Sequence, residues 1–178
     1  MNLDIYTDGG AFHAHPFAAW AFIFPDIHPD DLNLCAGRYL RRSGLLNEST
    51  NNGGEIMAVA FALEFVADNI GRLPLLKSIT VYSDCDRPVD AINGLLEQWA
   101  NNGWRTLKPA KQRVNAQGKR GLSERDKWIF LYAQTKRIEA FNVEINAVKI
   151  PGHSGIYWNE KCDALVKHKL AVAASSLR

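Results

Sequence analysis

The sequence predicts an α/β domain: a five-stranded mixed sheet, its first three strands antiparallel, flanked by helices in the order βββαβαβα. Three observations carry this expectation. Strand-like runs at 3–8, 17–24 and 32–40 follow one another directly, as in an antiparallel meander. Two later β-rich runs, 78–83 and 143–150, are separated by stretches with helical spacing of apolar residues. The composition, 178 residues with 47% hydrophobic and 22% charged, suits one domain with a sizeable core, and a single domain over 1–178 is expected.

Taken in order, Leu3-Asp4-Ile5-Tyr6-Thr7-Asp8 alternates apolar and polar residues and stops at Gly9-Gly10, placing Asp8 at a strand exit. Phe17 to Phe24 is apolar and aromatic, and Leu32 to Leu40 alternates again. Asn51 or Asn52 caps a helix whose inward stripe is Ile56, Val59, Ala60, Leu63 and Val66, and which ends near Asn69-Gly71. Glu55 enters in its first turn, beside that stripe. Ser78 to Ser83 is β-branched and stops at a second acid, Asp84. Residues 86–100 read as short helices interrupted at Asn93-Gly94 and closing on Leu95, Leu96 and Trp99. Helical periodicity resumes from Ser123 to Ala140 through Trp128, Leu131 and Ile138, and Val143 to Ile150 makes the fifth strand. Pro151 to Gly155 is a flexible loop, and Asn159 opens the last helix. There the stripe Val166, Leu170, Ala173 runs back to Asp163, an acid in a position the pattern reserves for the core.

No apolar run approaches the ~20 residues that span a bilayer, and the chain starts in strand-like sequence without a basic region followed by a hydrophobic one. A cytoplasmic location is expected. Cys35, Cys85 and Cys162 form no paired motif, which argues against a disulfide framework or a zinc site. Net charge is +2, too small to indicate nucleic acid by itself. Its distribution says more. Between Glu97 and Glu124 there are six cations and no acid, so the remainder carries −4. A basic, handle-like segment at about 99–122, with Trp99 and Trp104, rides on an acidic body.

Asp8, Glu55, Asp84 and Asp163 share one property: each ends a strand or stands on the inward side of a helix. Strand ends and helix N-termini gather along one edge of a sheet covered by helices, so the four can meet. Four adjacent carboxylates raise one another's pKa unless cations neutralise them. Hard divalent ions do so, and Mg²⁺ suits a site completed by water or phosphate. Two such ions ~3.5–4 Å apart stabilise both oxygens of an in-line phosphoryl displacement.

The residues that carry this chemistry also carry a resemblance. Tyr6-Thr7-Asp8-Gly9, Thr50-Asn51-Asn52 followed by Glu55, Tyr82-Ser83-Asp84, Trp99 with Gly103-Trp104-Arg105-Thr106, and Gly152-His153-Ser154-Gly155 leading to Asn159-Glu160-Lys161-Cys162-Asp163 together resemble type 1 ribonuclease H over nearly the whole chain. The resemblance implies the ribonuclease H-like fold and a metal-dependent endonuclease that hydrolyses the RNA strand of RNA·DNA hybrids, leaving 5′-phosphate and 3′-hydroxyl ends. It implies Asp8, Glu55, Asp84 and Asp163 as ligands of two Mg²⁺ ions, with Mn²⁺ as a substitute. His153, between Gly152 and Gly155, would shuttle protons or help product leave, with Glu160 assisting. Asn51 and Asn52 would touch bases and sugars in the minor groove, and Thr50 a phosphate of the DNA strand. Trp99, Trp104, Arg105, Lys108 and Lys111 would bind hybrid backbone without reading sequence. The implied protein is a monomer with a hybrid duplex as partner, no membrane, no obligate protein partner and no separate N-terminal hybrid-binding domain.

Several positions depart from the family pattern. Gly10-Ala11-Phe12-His13-Ala14-His15-Pro16 stands where many members have a Gly-rich loop, and His13 and His15 read as loop residues without function. Asp86 adds charge near Asp84 or caps the next helix, the segment 110–123 is long, and Glu124 falls near a position that often contributes to phosphate binding. None of these touches the four acids. The competing expectations are a same-fold nuclease acting on another duplex, and a non-catalytic hybrid-binding module, which the altered loop would favour.

Overall fold

The computed structural model describes residues 1–12, 17–27, 39–105 and 122–176. Strands β1 (Asn2–Ala11), β2 (Phe17–Phe24) and β3 (Leu40–Asn47) form the antiparallel half of one sheet. Helix α1 (Asn51–Asn69) crosses to β4 (Ser78–Ser83), which lies parallel to β1. Short helices α2 (Asp86–Asp90) and α3 (Leu96–Asn101) follow, then α4 (Arg125–Glu139), β5 (Glu144–Lys149), parallel to β4, and α5 (Tyr157–Ser175). The sheet order is β3-β2-β1-β4-β5, the mixed five-stranded sheet expected.

Helices cover both faces. Leu3 and Ile5 of β1, Ile79 and Val81 of β4, and Phe22 and Phe24 of β2 meet Ile56, Val59, Leu63 and Val66 of α1, and beyond them Trp128, Leu131 and Ile138 of α4. On the opposite face Ala19, Ala21 and Ile23 of β2 pack under Cys162, Val166 and Leu170 of α5. Helix α1 thus lies between sheet and α4, which explains why its burial spreads well beyond one stripe. Between α2 and α3 the chain kinks at Asn93 and Gly94, the latter at φ 140. The Asn93 side chain donates to Ala147 O and accepts from Ala147 N, tying the kink to β5.

Four sequence expectations shift. The third strand lies at Leu40–Asn47 rather than 32–40, of which 32–38 fall outside the described residues. Helix α1 is capped by Thr50, whose Oγ1 accepts from Gly53 N at 3.0 Å, and not by Asn51 or Asn52. Glu55 therefore sits one turn in, past the first-turn amides. Helix α5 begins at Tyr157, two residues before Asn159. Among the described residues, no helix is long and apolar enough to cross a membrane.

Candidate active site

Two strands set the first two acids. The parallel register pairs Thr7 with Ser83, so the next residues, Asp8 and Asp84, emerge side by side. Both continue the alternation that stacks Tyr6 on Tyr82, centroids 4.7 Å apart. Asp8 is not a strand end, since β1 continues along β2 to Ala11; what ends there is its pairing with β4.

Glu55 arrives because α1 presses on β1 at glycines. A Cβ on Gly9 would stand 2.1 Å from Glu55 N, and one on Gly54 2.7 Å from Ala19 O. Bare backbone at both positions allows the approach. Gly9 N then donates to Glu55 Oε2 at 3.1 Å, and Ala11 N to Asn51 Oδ1 at 3.2 Å, locking helix to strand. Asp8, Glu55 and Asp84 each offer an oxygen within 4.8 Å of the others. Asp8 and Glu55 are each only 7% exposed.

Helix α5 brings a second group from the opposite face, and its Asp163 is near enough to act on Asp8. His153, Glu160 and Asp163 offer donor atoms within 4.8 Å of one another, and Asp163 pairs with Lys167 at 2.6 Å. Gly155 N donates weakly to Glu160 Oε1, and His153 is exposed with its backbone in the left-handed region at φ 51. A Cβ on Gly152 would lie 2.9 Å from Asp84 Oδ2, so this loop also rests on the cluster.

The electrostatics follow from burial. Asp8 is pushed up to about 7, first by burial and then by Asp84 and Asp163, against the Gly9 amide and Lys167. Glu55 rises well above the ordinary carboxylate range for the same leading reason, with Asp8 and Asp84 adding to it. Lys149, whose Nζ donates to Asp84 O at 2.5 Å and pairs with Asp86 at 3.0 Å, acts from the rim and only partly counters the rise of Glu55. The exposed Asp86 is thereby held by a lysine rather than serving as a cap.

These residues fit a cation. An all-oxygen donor set short of positive charge is what a hard divalent ion requires. A second sign is Asn159, 2% exposed, whose Nδ2 donates to Asp84 Oδ2 at 3.4 Å while its buried Oδ1 has no partner among the described residues. An acceptor left unpaired among carboxylates needs a donor, and the water shell of a cation supplies one. In the sequence Asn159 opens the last helix and belongs to the motif that leads to Asp163, with no role of its own. Its i, i+4 spacing to Asp163 on one helix face was the available signal.

The expected nucleic-acid residues divide. Thr50, Asn51 and Asn52 lie exposed at the start of α1, and of the three Asn51 reaches the segment of β1 that follows Asp8, accepting from Ala11 N. Trp99, 8% exposed and 5.1 Å from Trp128 between ring centroids, is a core residue, a correction to its expected place on the binding surface. Trp104 is half-buried against Tyr132 and Arg105 is exposed. Lys108 and Lys111, like His13 and His15, lie outside the described residues.

Comparison with known proteins points to one family. The chain matches the RNase H family over residues 1–171. It is 32% identical to the ribonuclease H of Treponema pallidum subsp. pallidum over 181 residues, covering 98% of this chain and 94% of that protein. It is 29% identical to the ribonuclease H of Treponema denticola, covering 93% and 94%. Among solved structures, RNase H1 of Halobacterium salinarum superposes with a TM-score of 0.55 at 17% identity, covering 97% of this chain and 99% of that one. A foamy viral protease-reverse transcriptase in complex with an RNA/DNA hybrid gives 0.65 at 18%, this chain spanning 96% of itself and 20% of that protein.

Proposed function

Because the chain belongs to the ribonuclease H family, a family of hybrid-directed nucleases, we propose that it is a metal-dependent endonuclease hydrolysing the RNA strand of RNA·DNA hybrids to 5′-phosphate and 3′-hydroxyl ends. The observation that carries this reading is the convergence of Asp8, Glu55 and Asp84, with Asp163 facing them from α5. Two Mg²⁺ ions, or Mn²⁺ in their place, held by these four acids would neutralise the cluster and supply the electrophilic stabilisation of an in-line displacement at phosphorus.

The chain's own residues prepare that displacement. The Thr7–Ser83 register fixes the spacing of Asp8 and Asp84. The Gly9 amide fixes one oxygen of Glu55 and leaves the other free. Asn159 orients the Asp84 carboxylate. His153, on its exposed loop beside Glu160 and Asp163, would move a proton at the rim. Asn51 and Asn52 offer amides to the minor groove, where a 2′-hydroxyl distinguishes RNA. Thr50 would meet backbone phosphate, and Arg105, Lys108 and Lys111 would supply positive charge to the hybrid backbone, with Trp99 packed on Trp128 in the core ahead of them in sequence. The chain acts in this reading as one catalytic domain and a monomer.

The test is cleavage of an end-labelled hybrid with Mg²⁺, with EDTA, and with Asp84→Asn protein, beside RNA and DNA duplexes of the same sequence. We expect cutting of the RNA strand alone, absent in EDTA and in the variant. Equal rates on hybrid and RNA duplex would overturn the substrate, and no cutting by folded wild-type protein would overturn the catalysis.

A further inference from the structure

Where α4 meets the start of α1, the chain holds an anion of its own. Thr50 Oγ1, already the α1 cap, donates to Glu124 Oε1 at 2.7 Å, and Lys127 Nζ pairs with Glu124 Oε2 at 2.5 Å. Glu124 occupies the N-cap position of α4, yet its side chain makes no capping bond to that helix. It turns instead toward the end of α1, where helix amides favour negative charge. Its backbone is left-handed at φ 59, ψ 31, a conformation that the Cβ of an L-residue disfavours. The turn is pinned there by Trp128, whose buried indole donates to Ser123 O at 3.0 Å. Burial would raise the Glu124 carboxyl, but the hydrogen bonds from Lys127 and Thr50 outweigh it and hold it below the ordinary range. The carboxylate is therefore charged. Beside it, the buried Ser49 hydroxyl has no partner among the described residues, a donor that still lacks an acceptor.

We infer that Glu124 is an internal competitor that occupies the Thr50 hydroxyl and the Lys127 ammonium until a backbone phosphate of the bound nucleic acid displaces it. The inference rests on the reading of Thr50 as a backbone contact. A carboxylate and a phosphate both accept from a hydroxyl and an ammonium, and only one can do so at a time. Binding at this point then exchanges one anion for another. It gains less than an open site would and depends less on salt, because the displaced Glu124 carboxylate takes up a cation as the phosphate gives one up.

The test removes the competitor without straining the turn. Glu124→Asn keeps a residue that accepts the left-handed conformation and is too short to reach Thr50. Inorganic phosphate is titrated into wild-type and variant protein while the Gly53 amide resonance is followed by NMR, and hybrid affinity is measured against salt in parallel. We expect phosphate to shift Gly53 in the variant and not in the wild type. We expect hybrid binding at low salt to tighten about fivefold, with a salt slope steeper by about one. Adding Thr50→Val should cancel the gain. Since that change also removes the α1 cap, Lys127→Met provides a second background in which the gain should shrink. A gain that survives both backgrounds would reduce Glu124 to a general surface charge, and an unmoved Gly53 amide would overturn the anion site. If neither protein binds hybrid while phosphate still shifts Gly53 in the variant, the substrate reading fails and the competition stands.

Discussion

Asp8 is a charged group in the unfolded chain and a half-protonated one near neutral pH in the fold, with its pKa raised from 3.8 to about 7 by burial and by Asp84 and Asp163. A raised folded value means the folded state binds the proton more tightly. The resulting stability is complete below about pH 4 and disappears as pH rises through about 7. Metal-free protein should accordingly lose stability across that window, with Glu55 acting in the same direction. Asp8→Asn should remove the loss, leaving the variant more stable than wild type in EDTA at about pH 8, by up to about 4 kcal/mol on the scale of 1.36 kcal/mol per unit. Mg²⁺ should reverse the order, because only the wild type retains the ligand. Urea unfolding of both proteins with and without Mg²⁺ checks this, and a variant no more stable than wild type in EDTA would contradict the buried-charge account. A second residue test concerns Asn159: Asn159→Ala should weaken Mg²⁺ binding about tenfold or more, as outer-shell changes do, while leaving the fold intact. Calorimetric titration with Mg²⁺ reads it, and unchanged affinity would remove Asn159 from the site.

At the scale of elements, the site depends on how closely α1 approaches β1. Gly9→Ala puts a methyl 2.1 Å from the Glu55 amide, against backbone that cannot yield, whereas the same change at Gly10 meets the Val166 side chain at 2.9 Å. Overpacking of the first kind should cost about 3 kcal/mol and abolish cleavage by displacing Glu55, while Gly10→Ala should cost about 1 kcal/mol or less and retain activity. Thermal unfolding and hybrid cleavage of the two variants decide it, and equal behaviour would show that the contact does not set the site. This contact was only partly legible in the sequence. Periodicity identified the α1 stripe, since Ile56, Val59, Leu63 and Val66 are all fully buried; Asp84 does follow the end of its strand, whereas Asp8 lies inside β1, just past the end of its pairing with β4. It missed the cap, because Asn51, Asn52 and Thr50 have similar capping ability, and the hydrogen bond that further holds Thr50 is accepted by Glu124, 74 residues away. It misplaced the third strand for a related reason. An edge strand beginning Leu40-Arg41-Arg42-Ser43-Gly44 is held by main-chain pairing to β2, with both arginines exposed, so it carries little apolar signal. Long-range partners, which local pattern does not show, hold both boundaries.

Across the whole molecule, charge is divided between an acidic body and a basic segment: six cations and no acid lie between Glu97 and Glu124, against a net +2 for the chain. The division follows from the chemistry proposed. A cluster of carboxylates repels the phosphates it must approach, so attraction has to come from elsewhere on the surface. The root of the basic segment is rigid. Trp99 lies in the core, Trp104 N donates to Trp99 O at 2.7 Å, and the Asn102 side chain brackets Arg105 through its N and O at 2.9 and 3.1 Å. Cations carried on such a base would supply binding energy without touching the reaction. Replacing Arg105, Lys108 and Lys111 together by Ala should therefore weaken hybrid binding steeply at low salt and flatten the salt slope by about three, on the expectation of ~0.9 per phosphate neutralised. The rate at saturating hybrid should stay within about twofold of wild type, because uniform binding lost from ground and transition states alike raises KM and spares kcat. Binding isotherms across a salt series and turnover at saturation measure the two effects separately. An unchanged slope would move hybrid attraction onto the α1 face, and a fall in kcat equal to the loss in affinity would mean that these cations act on the transition state itself.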